Sequence, residues 1–194
     1  AFFGVDNSFA SRILDEGVID ASAAVDLPEG ADRYVIDDTP ALTPIDFGEV
    51  CINIDTAWFA EHDVTPPAAF EDLTGADYKD LFVAINPSTS STGLAFLLAT
   101  VGHFGTGEAG GFADYWKRLA ANGMRIDEGW SDAYYTDFSG GGEGGAHPIV
   151  VSYSSSPAAT LTENGSASTT AALLSTATRQ VEYAGVLAGA ANPD

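Results

Sequence analysis

The sequence predicts an α/β fold with a mainly parallel sheet. Short apolar runs fit for buried strands alternate with segments of helical spacing along the chain. Hydrophobic residues make up 45% of the 194 residues, with 11 Phe, seven Tyr and three Trp. That is enough apolar side chain to bury a core despite a formal net charge of −21. No internal repeat interrupts the alternation.

Residues 1–5 are an apolar run, the first strand. Asp6-Asn7-Ser8 is a polar turn placed to cap a helix that carries Phe9, Ile13 and Leu14. Residues 20–43, rich in Asp, Pro and Gly, are expected to be irregular. Residues 50–54 form a strand and residues 56–61 a short helix; Pro66-Pro67 breaks the chain, and residues 69–73 hold one or two helical turns. Residues 81–85 are a buried strand, followed by a hydroxyl-rich loop, 86–93, and an apolar helix, 94–104. After a glycine-rich turn, residues 112–121 form an amphipathic helix with Phe112, Tyr115, Trp116 and Leu119 on one face, ended by Asn122-Gly123. Residues 124–126 are a short strand, 131–138 helical, 140–145 a flexible glycine loop, and 149–153 another strand. A polar loop, 163–170, precedes the last apolar segment, 180–187. Pro- and Asp-rich connections give way to regular α/β sequence near Asp80, a boundary within the chain.

Seven Lys and Arg stand against 28 Asp and Glu, and only Lys79 and Lys117 are lysines. The cations are scattered, so no basic patch faces phosphates; no nucleic-acid partner is expected, and an anionic membrane surface is disfavoured for the same reason. The acids are spread over the whole length, the pattern of a salt-adapted acidic protein that stays solvated under strong screening; attraction of a cationic ligand is the other reading. The single Cys51 excludes an internal disulfide and a Cys-based zinc cluster, and inside an apolar strand it is expected to be inert core. No apolar run approaches the ~20 residues of a membrane span. Ala1-Phe2-Phe3-Gly4 has neither a basic n-region nor a cleavage site and has the look of mid-fold sequence.

No Gly-x-Ser-x-Gly occurs, and His62, His103 and His147 adjoin no Ser or Cys motif, so nucleophilic catalysis is not expected. The glycine run at 140–145 lacks the Gly-Lys-Ser/Thr ending of a phosphate loop. Tyr134-Tyr135, with Asp132 and Asp137 close by, offers hard oxygen ligands suited to ferric iron; the plainer reading packs one tyrosine and exposes the other. Thr89, Ser90 and Ser91 lie where a strand meets a helix. Hydroxyls and backbone N–H groups there either hold a polar or anionic ligand group or merely cap the helix. Ser152-Tyr153-Ser154-Ser155-Ser156-Pro157 repeats that arrangement at another strand end. With Gly129-Trp130, the two loops suggest a polar pocket with aromatic walls that stack on a flat or cationic ring; as plain structure, Trp130 and Tyr153 would be ordinary core.

Five stretches in order carry a family resemblance. They are Phe3-Gly4-Val5-Asp6-Asn7, then Thr43-Pro44-Ile45-Asp46-Phe47-Gly48, then the hydroxyl loop at 86–93, then Gly129-Trp130-Ser131-Asp132-Ala133-Tyr134, then Ser152-Tyr153-Ser154-Ser155-Ser156-Pro157, with Gln180-Val181-Glu182 following. Together they resemble the thiamine-binding proteins of ABC transporters, within the type II periplasmic-binding-protein class, over nearly the whole chain. The fourth and fifth motifs are the specific part. Phe47 stands where Tyr is usual, and the hydroxyl loop departs from the family at Asn86, Ser88 and Thr92.

The resemblance implies a type II periplasmic-binding-protein-like α/β fold with two lobes that close on a solute. Residues 1–80 would be part of the N-terminal lobe with the hinge, 81–178 the second lobe, and 179–194 a return toward the first. It implies a receptor, not an enzyme, outside the cytoplasmic membrane, either periplasmic or tethered at the cell surface. Its ligand would be thiamine or a thiamine phosphate, its partners the permease subunits of an ABC importer, and it would need no cofactor. Ser90 matches a ligand-contacting Ser, Trp130 the binding-site Trp, and Tyr153 a Tyr lining the thiamine site; a further family Tyr falls at Ala159. Asp6 is the candidate carboxylate for the cationic ring, and Thr89, Ser91 and Tyr134 complete the candidate set. Family members are longer at both ends, so the chain is expected to be a central portion lacking both. Ferric iron held through Tyr134, Tyr135 and Tyr153 is the alternative within the same fold class.

Overall fold

The computed structural model describes residues 2–22, 25–27, 29–39, 41–107, 109–142 and 144–192. Its elements run β1 (Phe2–Asp6), α1 (Ala10–Asp15), β2 (Thr43–Asp55), α2 (Thr56–His62), β3 (Phe82–Ile85), α3 (Ser91–Phe104), α4 (Phe112–Ala121), β4 (Arg125–Asp127), a π-helix (Asp132–Asp137), β5 (Ile149–Tyr153) and β6 (Thr170–Gly185). Contacts divide the chain into two compact units: Ala1–Gly48 with Arg179–Asp194, and Glu49–Thr178. The sequence places its own divisions at 80/81 and 178/179.

In the larger unit the strand order is β2-β5-β3-β4. β3 lies parallel to both neighbours, Val83 facing Val150 on β5 and Arg125 on β4. β3 reaches β4 through α3 and α4, the helical crossover that a parallel pair needs. Val83, Ala84, Ile85, Val150 and Val151 are fully buried, the near-continuous apolar run of strands covered on both faces. α4 sits as its spacing predicts: Tyr115 and Leu119 are buried, and Trp116 Nε1 donates to Thr100 Oγ1 of α3 at 2.9 Å. The Tyr115 hydroxyl donates to the Phe70 carbonyl at 2.8 Å within a ring cluster that includes Phe96 and Phe104. α3 begins three residues before the expected start, at Ser91. Its first turn packs on the end of β3 so closely that a Cβ on Gly93 would lie 2.5 Å from the Ile85 carbonyl oxygen.

The sheet is mixed rather than mainly parallel. β2 runs antiparallel to β5, with Val50 opposite Tyr153 and Ile54 opposite Ile149. In the smaller unit β1 runs antiparallel to β6, with Phe2 opposite Gly185 and Asp6 opposite Glu182. An apolar run shows that a strand is buried, but its direction depends on the connection, which the run does not encode.

The smaller unit buries Val5, Ala10, Ile19, Leu42, Val181 and Tyr183. Asp6-Asn7-Ser8 does not cap α1, whose first turn receives no side-chain bond. Asp6 Oδ1 accepts from Ser8 N at 2.7 Å, and Asn7 Oδ1 accepts from Val181 N at 2.9 Å, so the turn is fastened to itself and to β6. In the irregular stretch a 3₁₀ turn forms at Asp32–Tyr34; residues 23, 24, 28 and 40 of that stretch, like Ala1 of the expected first strand, lie outside the described residues. β6 is far longer than the apolar segment expected at 180–187: it begins at Thr170, and its first half sets Leu173 and Leu174 among Ala, Thr and Ser. Among the described residues no helix is long and apolar enough to cross a membrane.

Candidate functional site

β3, β4 and β5 run in one direction, and their carboxyl ends open into the loops at 86–90, 128–131 and 154–156. Loops at the carboxyl ends of parallel strands are where α/β sheets bind ligands. Thr89, Ser90, Ser91, Trp130 and Tyr153 all lie on or beside this edge. Glu128 joins the first two loops: its carboxylate accepts from Asn86 Nδ2 at 3.0 Å, and its carbonyl accepts from Thr89 Oγ1 at 2.7 Å. Ser90 occupies the position before α3 with extended backbone, but its hydroxyl bonds Thr92 Oγ1 at 2.8 Å, not a helix N–H. The hydroxyl loop is therefore tied to the loop that bears Trp130, and Ser90 does not cap the helix through its side chain.

The aromatic side chains converge because of the π-helix. Phe138 N donates to Ala133 O, five residues back, at 2.9 Å. The wider turn brings residues four and five along onto the same side. Trp130 consequently stacks on Tyr134 at 4.9 Å and 14° and meets Tyr135 edge-on at 5.3 Å and 80°. Tyr153 approaches Trp130 from the end of β5 at 6.3 Å and 54°. These four rings, with Gly141, Ser155, Ser156, Ala159 and Thr160, line a cleft of about 330 Å³. No Lys or Arg is among these lining residues.

Hydroxyl groups fix the rings. Trp130 Nε1 donates to Ser152 Oγ at 2.9 Å, Ser152 Oγ and Ser156 Oγ are 2.7 Å apart, and Tyr153 N donates to Ser156 Oγ at 3.2 Å. Tyr134 is 3% exposed, and its hydroxyl makes no hydrogen bond of normal geometry, although the Ser156 hydroxyl lies near enough to pull its pKa down a little. Burial pushes its pKa above the ordinary phenol value, so it stays protonated. In the glycine loop after the π-helix, expected to be flexible, Gly141 and Gly145 lie against backbone of the π-helix too closely for any side chain. Glu143 of that loop lies outside the described residues.

The tyrosine pair takes the plainer of its two readings. Tyr134 packs and Tyr135 is 47% exposed. Of the nearby carboxylates, Asp137 is paired with Arg125 at 2.9 Å, and the raised Tyr134 pKa opposes the tyrosinate that ferric iron would need. Among the described residues no group of three or more His, Cys, Asp or Glu is placed to hold a metal. His62 stacks on Trp58, His103 pairs with Glu71, and His147 Nδ1 lies against the Asp137 carbonyl, so no Ser–His or Cys–His pair forms among them. Cys51 is buried, and desolvation pushes its thiol up to about 11, as inert core requires. Asp6 belongs to the smaller unit, buried at the end of β1 with one carboxylate oxygen taken by Ser8. Ser152, Ser156, Thr160, Gly141 and Glu128 had no assigned role in the sequence. The available signals were the Ser-Pro ending after Tyr153 and an acid directly before Gly129-Trp130.

A family model described as bacterial extracellular solute-binding protein matches residues 3–179. The thiamine-binding periplasmic protein of Salmonella typhimurium strain LT2 is 29% identical over 140 residues, which cover 71% of this chain and 36% of that protein. A solved structure of a periplasmic thiamin binding protein superposes with a TM-score of 0.74 at 26% identity, over 99% of this chain and 56% of that one. Iron-bound HitA from Pseudomonas aeruginosa superposes with a TM-score of 0.65 at 16% identity, over 98% of this chain and 59% of that one, a likeness of fold alone. The chain thus spans between 36% and 59% of the length of these relatives. The expected type II periplasmic-binding-protein-like α/β fold is borne out.

Proposed function

Because the chain belongs to the bacterial extracellular solute-binding protein family, we propose that it is a receptor for thiamine or a thiamine phosphate, which it delivers to the permease subunits of an ABC importer. It acts outside the cytoplasmic membrane, as that family does. The observation that carries the ligand is the convergence of Trp130, Tyr134, Tyr135 and Tyr153 on one cleft at the carboxyl edge of the parallel strands. Thiamine has a cationic thiazolium, a flat aminopyrimidine and a hydroxyethyl tail. Electron-rich ring faces attract the first two by cation–π contact and stacking. The loop of Thr89, Ser90 and Ser91 at the start of α3 suits the tail or its phosphate. Receptor action breaks no bond, so the lack of a His-activated nucleophile among the three histidines costs it nothing. The thiamine-binding names of the 29% and 26% identical relatives support the same ligand.

Thiamine titration followed by tryptophan fluorescence tests this, with Trp130→Ala alongside. Saturable quenching that disappears in the variant is expected. A wild-type protein that responds to neither thiamine nor its mono- and diphosphates overturns the reading.

A further inference from the structure

The side chains of Trp130, Ser152 and Ser156 form a hydrogen-bonded chain, and burial fixes its direction. The indole nitrogen has a hydrogen and no lone pair, so Trp130 donates to Ser152 Oγ across 2.9 Å. Between Ser152 Oγ and Ser156 Oγ, 2.7 Å apart, lies one of the two hydroxyl hydrogens. Ser152 is 0% exposed, and the side-chain bonds of its hydroxyl are those to Trp130 and Ser156. A buried O–H without an acceptor is costly, so Ser152 is the donor and Ser156 the acceptor. Ser156 Oγ also accepts from Tyr153 N at 3.2 Å. Both its lone pairs are then engaged, and its own hydrogen has to point elsewhere, toward the cleft wall where the Tyr134 oxygen lies near it. Ser156 is partly exposed and lines the aromatic cleft.

We propose that Ser156 is an obligate hydrogen-bond donor to the solute, its hydrogen turned into the cleft by the chain that starts at Trp130. This rests on the reading of the cleft as the solute site, and it deepens that reading. With no cation among the lining residues, the preferred partner is a neutral acceptor on a flat solute, of the kind a pyrimidine ring nitrogen presents, and not a phosphate. The Tyr134 hydroxyl, which borders the same cleft beside Ser156 and makes no hydrogen bond of normal geometry, gives such an acceptor a second neutral neighbour. The same chain holds the Trp130 ring in place, so stacking face and donor are set by one network.

Two measurements decide it. In the ligand-free protein, NMR of hydroxyl protons at low temperature should show the Ser152 proton protected from exchange and the Ser156 proton exchanging fast. A protected Ser156 proton with an exchanging Ser152 proton overturns the proposal. In thiamine titrations, Ser156→Ala should weaken binding about tenfold, the loss of one hydrogen bond, while Ser154→Ala stays within about twofold of wild type. Equal affinity for Ser156→Ala and wild type also overturns it. A wild-type protein that binds no thiamine removes the proposed function but leaves the direction of the chain to the first measurement, which needs neither ligand nor variant.

Discussion

A Cβ on Gly141 would lie 1.6 Å from the carbonyl oxygen of Tyr134. No side chain fits there. One at Gly145 would fare little better, 2.2 Å from the Asp137 carbonyl oxygen. The glycine loop is a seat for the end of the π-helix, and through it for the tyrosines of the cleft. Gly141→Ala is expected to destabilise the protein by about 1–3 kcal/mol, the cost of overpacking, and to weaken solute binding as Tyr134 shifts. Thermal melts of variant and wild type check the first part; an unchanged melting temperature would mean that the loop yields freely.

Tyr134→Phe should do the opposite to stability. The buried hydroxyl it deletes makes no hydrogen bond of normal geometry, so its removal should leave stability unchanged or raise it by about 1 kcal/mol. Denaturant melts without ligand read this. Clear destabilisation would show that the hydroxyl is bonded in the free protein.

Arg125 holds two carboxylates at the end of β4: Nε to Asp127 Oδ1 at 2.8 Å and Nη2 to Asp137 Oδ2 at 2.9 Å. Asp127 is 6% exposed, and burial, reinforced by Asp137, raises its pKa above 3.8 while Arg125 pulls it down. A raised carboxyl pKa means that this group's contribution to stability is complete below the ordinary pKa and is lost as pH rises through the folded value. Arg125→Gln removes the opposing pull, so its cost should be about 1–2 kcal/mol at neutral pH, a modest figure because the guanidinium is half-exposed. The cost should shrink as pH falls through the raised pKa of Asp127, because a protonated carboxyl gains little from the guanidinium. A pH-independent difference between the two melting curves would refute this account.

With 28 acids against seven cations, the folded chain repels itself. Raising KCl from about 0.1 M to about 1 M shortens the screening length from roughly 10 Å to roughly 3 Å, so the melting temperature should climb steadily over that range. A flat or falling curve would defeat the salt-adaptation reading.

Local signals were legible where one element carried the whole message. α4 begins and ends where its apolar spacing and the Asn122-Gly123 stop place it, and Gly123 takes the left-handed backbone, φ +81°, that such a stop needs. β3 and β5 announced themselves as apolar runs. The first half of β6 did not, because Leu173 and Leu174 stand alone among Ala, Thr and Ser, which serve loop and strand alike. The π-helix was read only as helical: one wide turn is too short to leave a period, yet it decides that both Tyr134 and Tyr135 reach Trp130. Trp130 and Tyr153 were singled out by residue type and motif. Ser152 and Ser156 stood in the same motif without a role, because their chemistry lies in distances between a strand end and a distant indole.

β4 holds the outer place in the larger unit's sheet with only three residues. An outermost strand is a template on which a foreign backbone grows, the route by which folded sheets join into aggregates. Here the template is three residues long. Ile126, 48% exposed, is flanked by Arg125 and Asp127, which are clamped to each other. A growing fibril would have to displace that pair to gain two or three backbone bonds. The brevity of β4 thus protects the protein against self-assembly, and it does so even in strong salt, where charge repulsion between molecules no longer keeps them apart.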